Sequence, residues 1–463
     1  MAYKIIILNL KNWLSQTGGV DKAVAYSVSS RIWQIIVGLV NVVLIARYIT
    51  SAEQGYLYTF QSLLGFQILF DLSLSAVLVQ FAGHEMAKLK WVIGGTVQGE
   101  SLAKSRLASL IRISFKWYTI AAGLMLLLLT GGGYIFFEIK NISHNMVDWK
   151  APWILICFAA SSLIVFTPIL GIIEGCGKVA EVARFRLMQD TVCAFIYWIA
   201  LVSGLKLFAL PILFFSRVTA LLIYLFIFNR QFLLDLKSTV TGETVNFKKE
   251  IWPFQWRFLI CAIASLLASF FTIPIVFSTQ GPVIAGQLGM TFSITSALLS
   301  VSMVWINTKV PLFCNLVALK NYDELDRMFL RVSKQSFFVM LILSLGLLTM
   351  FIVLNLFIPT FAIRLVDPIT AMFLILSVLL AFPNIACSSY LRAHKREVTA
   401  NANMSTAIIT LCFIYLASRY AGLLYIGVVQ FISSGVLSIW VYLIFRRYKR
   451  KWHTISMVKS IIV

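Results

Sequence analysis

Twelve apolar segments, each near the length of a membrane span, constrain this chain more than any other feature. They lie at about 24–48, 55–82, 116–138, 151–173, 186–205, 208–229, 254–278, 283–305, 335–358, 368–391, 401–418 and 422–445. A helix rising 1.5 Å per residue needs roughly 20 apolar residues to cross a hydrocarbon core ~30 Å thick. Inside that core a helix satisfies its own backbone donors and acceptors, so helices are the expected form of each span. The chain is 60% hydrophobic and 12% charged over 463 residues. A soluble fold cannot bury that much apolar surface, and the expectation is an all-α integral membrane protein with twelve transmembrane helices.

Net charge is +21. In a soluble protein such an excess points to nucleic acid, because clustered Lys and Arg neutralise phosphates. Here its distribution argues for topology and against a nucleic-acid partner. With the N-terminus on the cytoplasmic side, 31 of the 39 Lys and Arg residues fall in cytoplasmic segments, six on the outer side and two, Arg31 and Arg217, within spans. The rich segments are 83–115, 174–186, 230–257, 306–334, 392–397 and the tail from Arg446. This positive-inside bias puts both termini in the cytoplasm. A second use of the same charge is attraction to anionic membrane lipids, at about 1 kcal/mol per juxtamembrane cation.

No cofactor or metal site is evident. The seven cysteines, Cys157, Cys176, Cys193, Cys261, Cys314, Cys387 and Cys412, have no metal-ligand spacing, and none sits in an outer loop where a disulfide forms. His84-Glu85 and Asp323-Glu324-Asp326 read as solvated helix ends. Gly131-Gly132-Gly133 lacks the Lys-Ser/Thr that would follow in a phosphate loop. Ile5–Leu10 is too short for a signal-peptide core, and Lys4–Leu14 reads as a short interfacial helix.

The chain divides into a segment 1–23, an N-terminal lobe 24–229, a linker 230–253, a C-terminal lobe 254–445 and a basic tail 446–463. Six spans per lobe is an even number, so any internal repeat is parallel. Residue matches support one. Pro168 corresponds to Pro383, Lys178 and Glu181 to Lys395 and Glu397, and Phe195-Ile196-Tyr197 to Phe413-Ile414-Tyr415. Arg31 corresponds to Arg257, and Gly55, Leu57 and Phe60 to Gly286, Leu288 and Phe292. Pro168, Pro211, Pro274 and Pro383 fall inside spans, where proline removes a backbone donor and kinks a helix.

Polar residues within spans are costly and normally face a cavity or a partner. Ser27, Arg31, Gln34, Gly38 and Asn41 share one face of span 1, and Gln67, Asp71 and Ser75 one face of span 2. At 1.5 Å per residue, Arg31 lies about 10 Å and Asp71 about 14 Å from the cytoplasmic end. Their matched depth predicts a contact. It serves either to hold the two spans together or to line a polar, partly cationic cleft between the lobes. Arg217 and Asp190 pose the same choice, and Arg257 reads equally well as a snorkelling residue. Span 8 carries Gln287, Thr291, Ser293, Thr295, Ser296 and Ser300, which suit helix packing or substrate contact.

A resemblance sharpens these readings. Ala25-Tyr26-Ser27, Ser30-Arg31-Ile32-Trp33-Gln34, Ile45-Ala46-Arg47-Tyr48-Ile49, Glu53-Gln54-Gly55, Phe60 and Phe70-Asp71-Leu72-Ser73-Leu74 resemble the O-antigen flippases of the polysaccharide-transporter family. Their superfamily includes multidrug and toxin extrusion transporters and lipid II flippases. The similarity is clearest over 24–85. Where relatives carry Asp-Leu-Gly-Leu, this chain has Ser73 in the glycine position. The resemblance implies two parallel six-helix lobes around a central V-shaped cavity. The implied substrate is an undecaprenyl-pyrophosphate-linked oligosaccharide, moved from the inner to the outer leaflet of a bacterial inner membrane. Arg31, and less securely Arg257, match positions that face the pyrophosphate, a role suited to a guanidinium with two donors for phosphate oxygens. Gln34, Asn41, Asp71, Arg217 and Gln287 join them as expected cavity residues, with Asp71 and Asp190 as ion-coupling candidates. A polysaccharide polymerase or ligase is a candidate partner.

Three other readings stay open. A membrane glycosyltransferase or polymerase needs acid-base groups on a sizeable outer loop. The outer loops here are short and hold no paired carboxylates, and His144 is their sole histidine. A cation extruder favours net acidity in the cleft, which Arg31, Arg217 and Arg257 oppose. A lipid II flippase of the same superfamily often has more than twelve spans.

Overall fold

The computed structural model describes residues 22–71, 74–92, 95–140, 147–238, 263, 267, 270–394 and 398–461. Arg257, Cys261, Lys4–Leu14 and the Lys395/Glu397 half of the repeat lie outside these residues, as does most of the linker 230–253. Ten helices among the described residues are long and apolar enough to cross a membrane. They coincide with ten of the twelve expected spans. The other two are the second and the seventh.

The first span is α1, Lys22–Tyr48. The second is broken into α2, Ser51–Leu64, α3, Gln67–Asp71, and α4, Leu74–Met86. A capping box fixes the start of α2: the Glu53 amide donates to the Thr50 hydroxyl, and the Thr50 amide donates to the Glu53 carboxylate. The first break comes at Gly65. A Cβ there would lie 2.2 Å from the Phe270 ring, so only glycine admits that side chain.

The expected cytoplasmic loop 83–115 is largely ordered structure instead. Strands β1, Leu89–Trp91, and β2, Val97–Gly99, form an antiparallel hairpin with Lys90 opposite Gln98. Helix α5, Ser101–Lys140, then runs for 40 residues, beginning well before the apolar stretch. A polar first half does not stop a helix whose neighbours hold it. Asp235, for instance, accepts hydrogen bonds from the Lys104 ammonium at 2.6 Å and the Val97 amide at 3.0 Å.

Next come α6, Lys150–Gly175, α7, Val179–Val202, and α8, Ala209–Ile223. A π-helical turn, Tyr224–Phe228, leads into α9, Arg230–Ser238. Of the seventh span, α10, Thr272–Gln280, is the described helix. Helices α11, Pro282–Ser302, α12, Val304–Ala318, and α13, Tyr322–Phe357, follow. A short turn, α14, Pro359–Ala362, precedes α15, Pro368–Ala393, α16, Ala400–Tyr420, and α17, Leu423–Ile461. The basic tail thus continues the last span as helix. Of the four prolines expected inside spans, Pro168 in α6 and Pro383 in α15 are interior. Pro211 and Pro274 stand in the first turns of α8 and α10, where no intrahelical N–H bond is lost.

Backbone proximity groups the chain into two compact units. One comprises the described residues within 1–37, 69–135 and 150–259, the other those within 38–68, 136–149 and 260–463. The second part of α1, from Gly38, and all of α2 fall in the unit that holds the C-terminal helices.

In the N-terminal unit, α4 crosses α6 at Gly175, where a Cβ would lie 2.4 Å from the Val79 carbonyl oxygen. Gly133 packs on the Trp153 ring, and Trp153 Nε1 donates to the Leu129 carbonyl at 3.2 Å. The triple glycine is therefore a packing surface in α5. In the C-terminal unit, α2 lies against α11 through Gly55, Gly286 and Gly289. A Cβ on Gly55 would lie 1.9 Å from the Pro282 carbonyl oxygen, and one on Gly289 2.6 Å from Tyr58. Beside this crossing, Tyr56, Phe60, Phe137, Trp149 and Phe277 form a buried aromatic cluster with centroids 5.0–6.5 Å apart.

Candidate functional site

In the N-terminal unit, three helices bring Gln34, Asp190 and Arg217 together. The Asp190 carboxylate accepts from Gln34 Nε2 at 3.1 Å and from Arg217 Nη2 at 3.3 Å. Gln189 Nε2 donates to the Arg217 carbonyl at 2.8 Å, tying α7 to α8 a second time. Trp33, one residue before Gln34, packs on Phe195 and Trp198 at 6.1 and 6.2 Å. Arg217 keeps Nε buried with no hydrogen-bond partner, so its charge is only partly answered.

Asp71 ends α3 at the break in span 2. Ser75 Oγ and Tyr118 Oη each donate to it at 2.5 Å. The expected contact between Arg31 and Asp71 is therefore not an ion pair. Tyr118 from α5 and Ser75, one helical turn on, supply what Arg31 was expected to supply. Arg31 itself is exposed on α1 and has no ion pair or hydrogen bond among the described residues. Tyr118 was not foreseen, because a tyrosine in an apolar run carries no sequence signal of a carboxylate partner.

In the C-terminal unit, Gln287 is a loop tether. Its Nε2 donates to the Ile363 carbonyl at 2.9 Å, and Gln54 Nε2 donates to the carbonyls of Gly286 at 2.8 Å and Arg364 at 3.1 Å. Gln287 also lines a cavity of about 260 Å³ with Asn355 and Asp367. Burial pulls the Arg364 guanidinium below its usual range, and the nearby Glu53 carboxylate opposes that shift. Asn41 is half-buried and engaged.

A larger cavity of about 440 Å³ opens within this unit. Tyr58, Gln61 and Ser62 reach it from α2, Ser293 and Ser296 from α11, and Gln430 and Ser434 from α17, beside Phe270 and Phe292. Among the described residues, no Asp, Glu, Lys, Arg or His lines it.

Two acidic groups expected to be solvated are held instead. Glu85 pairs with Arg106 Nε at 2.8 Å. The Asp326 carboxylate accepts from Tyr390 Oη and from Lys449 Nζ, both at 2.8 Å, which joins α13, α15 and α17 at one end. Among the described residues, no three His, Cys, Asp or Glu side chains cluster as a metal site.

No family model and no curated protein sequence matches the chain. Solved structures do. The inward-facing conformation of a multidrug resistance MATE family transporter of the MOP superfamily superposes with a TM-score of 0.65 at 13% identity, covering 90% of this chain and 98% of that one. A MATE transporter of Vibrio cholerae, VcmN, gives 0.56 at 12% identity, with 93% and 98% covered. A MOP superfamily transporter from Pyrococcus furiosus gives 0.55 at 13% identity, with 93% and 95% covered. The chain has a multi-pass, predominantly helical membrane fold. More particularly, that fold is the one shared by the MATE transporters of the MOP superfamily.

Proposed function

We propose that this protein is a flippase that moves undecaprenyl-pyrophosphate-linked oligosaccharide repeat units, of O-antigen or a similar polysaccharide, across the bacterial cytoplasmic membrane. It works by alternating access with both termini in the cytoplasm. One observation carries the reading. Of the charged groups expected to serve as its site, the described carboxylates Asp71 and Asp190 are both held by neighbours, whereas Arg31 is exposed and without an ion-pair partner among the described residues. A charge left free in a span sets the charge of the ligand it favours, and a guanidinium favours a phosphate. Arg31 is the proposed pyrophosphate contact, with Arg257 as its counterpart. The Pyrococcus furiosus transporter is described as having a binding pocket of reverse polarity that suggests a different function.

Moving a negative charge outward down a potential negative inside gains about 2.3 kcal/mol per charge per 100 mV. The membrane potential therefore suffices in sign. Asp71 is the proposed proton-coupling site should a pH gradient also be used, with Asp190 second.

The competing reading is a cationic-drug extruder, favoured by the multidrug transporter among the structural neighbours. Deletion of the gene separates the two. The flippase reading expects lipid-linked repeat units to accumulate on the inner leaflet and surface polysaccharide to disappear. Unchanged surface polysaccharide, with gained sensitivity to cationic dyes, would favour the extruder.

A further inference from the structure

We propose that the larger cavity of the C-terminal unit, whose described lining is polar but uncharged, is a saccharide-recognition site, taking the neutral, hydroxyl-rich part of an amphiphilic ligand. The proposal rests on the flippase reading for its biological ligand, though not for its chemistry. At about 440 Å³ the cavity lies within the range of roughly 300–1,000 Å³ typical of small-molecule sites.

The lining is unusual for a helical bundle in lipid. Polar side chains on adjoining helices normally hydrogen-bond one another. Gln61 and Gln430 have no side-chain hydrogen bond among the described residues, although both line the cavity. Each amide thus offers donors and an acceptor to an occupant. The hydroxyls of Ser293 and Thr295 donate to carbonyls of their own helix, at 3.0 Å to Gly289 and 3.1 Å to Thr291. Their donors are spent, Ser293 also meets the Tyr58 hydroxyl, and the oxygen lone pairs left over can accept from a ligand. A wall rich in acceptors and amides, with no charge among its described residues, is matched by a ligand carrying many hydroxyls and no charge.

Phe270 and Phe292 add apolar faces. A pyranose presents C–H groups on one face and hydroxyls around its edge, so it uses both kinds of wall. Among the described lining residues a phosphate would find no cation, and a cationic drug no carboxylate.

The test uses the full chain in lipid nanodiscs and three probes: an alkyl glycoside, a polyprenyl pyrophosphate, and a polyprenyl pyrophosphate bearing one N-acetylhexosamine. With two neutral hydrogen bonds lost, the double variant Gln61→Leu/Gln430→Leu is expected to weaken binding of both sugar-bearing probes about tenfold or more. Binding of the sugarless pyrophosphate should not change, which also reports that the variant is folded. Ser434→Leu, which fills the cavity from α17, should act in the same direction. Equal binding of both sugar-bearing probes to wild type and variants would overturn the saccharide site while leaving the flippase reading intact. Glycoside binding that depends on Gln61 and Gln430, with no binding of either pyrophosphate, would uphold the site and remove the flippase reading.

Discussion

Gly286 of α11 faces Gly55 of α2 so closely that a Cβ at position 286 would lie 2.8 Å from the Gly55 amide nitrogen. These are the residues that the sequence matches as counterparts in the two halves. Two backbones can meet at that distance only where neither residue carries a side chain. Gly55→Ala, with its Cβ 1.9 Å from the Pro282 carbonyl oxygen, should overpack the crossing and destabilise the protein by about 1–3 kcal/mol. Gly346→Ala in α13, where a Cβ meets nothing within 4 Å, should be neutral or stabilise by up to about 1 kcal/mol through helix propensity. Thermal unfolding in detergent distinguishes the two. Equal melting temperatures would show that the crossing is not tight.

The Asp190–Arg217 pair yields to a double-mutant cycle. Asp190→Asn leaves the Arg217 guanidinium, already short of a partner at Nε, without its carboxylate. Asp190→Asn combined with Arg217→Gln removes both charges. Their coupling energy should be about 0.5–3 kcal/mol, with the double variant less destabilised than the sum of the singles. Additive effects would mean that Asp190 and Arg217 act independently.

Cysteine reactivity tests burial and charge together. Burial pushes the Cys176 thiol up to about 12, with Lys178 pulling weakly the other way. A thiol reacts as its thiolate, so Cys176 is nearly all protonated at pH 8 and stays so well above it. A water-soluble maleimide at pH 8 should leave Cys176 unmodified in native membranes and modify the exposed Cys314. Mass spectrometry of labelled peptides reads this directly, and rapid labelling of Cys176 would contradict its burial.

The hairpin 89–99 is held by Asp235, which accepts from the Val97 amide and the Lys104 ammonium. Trp91 anchors its other strand, donating from Nε1 to the Cys176 carbonyl at 2.8 Å under the Lys178 ammonium 4.3 Å away. Asp235→Ala should release the hairpin and speed proteolysis between Val92 and Thr96. Trp91→Ala should do the same. Unchanged cleavage in both variants would mean that these contacts do not restrain it.

Span positions were legible because twenty apolar residues in a row have one low-energy form in lipid. The breaks were not. Gly65 reads as any helix glycine until Phe270, some two hundred residues away, takes the place of its Cβ. The hairpin was missed because three-residue strands carry too few positions to show alternation. Glu53-Gln54-Gly55 was visible as a motif, and its physical content came only with the fold: a cap, a carbonyl-binding amide and a close backbone approach. At the candidate site, the sequence picked out Arg31, Asp71, Asp190 and Arg217 by their cost in a membrane. It paired two of them wrongly, since matched depth along two helices says nothing about which side faces Tyr118. Gln61 and Gln430 went unnoticed, because an amide in a span signals neither burial nor exposure.

The central claim is that Arg31 binds the pyrophosphate of a lipid-linked glycan. Right-side-out spheroplasts expressing each variant, probed with a membrane-impermeant lectin, report how much of that glycan reaches the outer leaflet. A charged hydrogen-bonding contact contributes about 1.5–3 kcal/mol, so Arg31→Ala should lower the rate at which glycan appears outside by about tenfold or more. Arg31→Lys should fall between wild type and Arg31→Ala, because an ammonium keeps the charge but not the paired donors. Arg31→Ala exposing the glycan as fast as wild type, at equal protein level, would contradict the account.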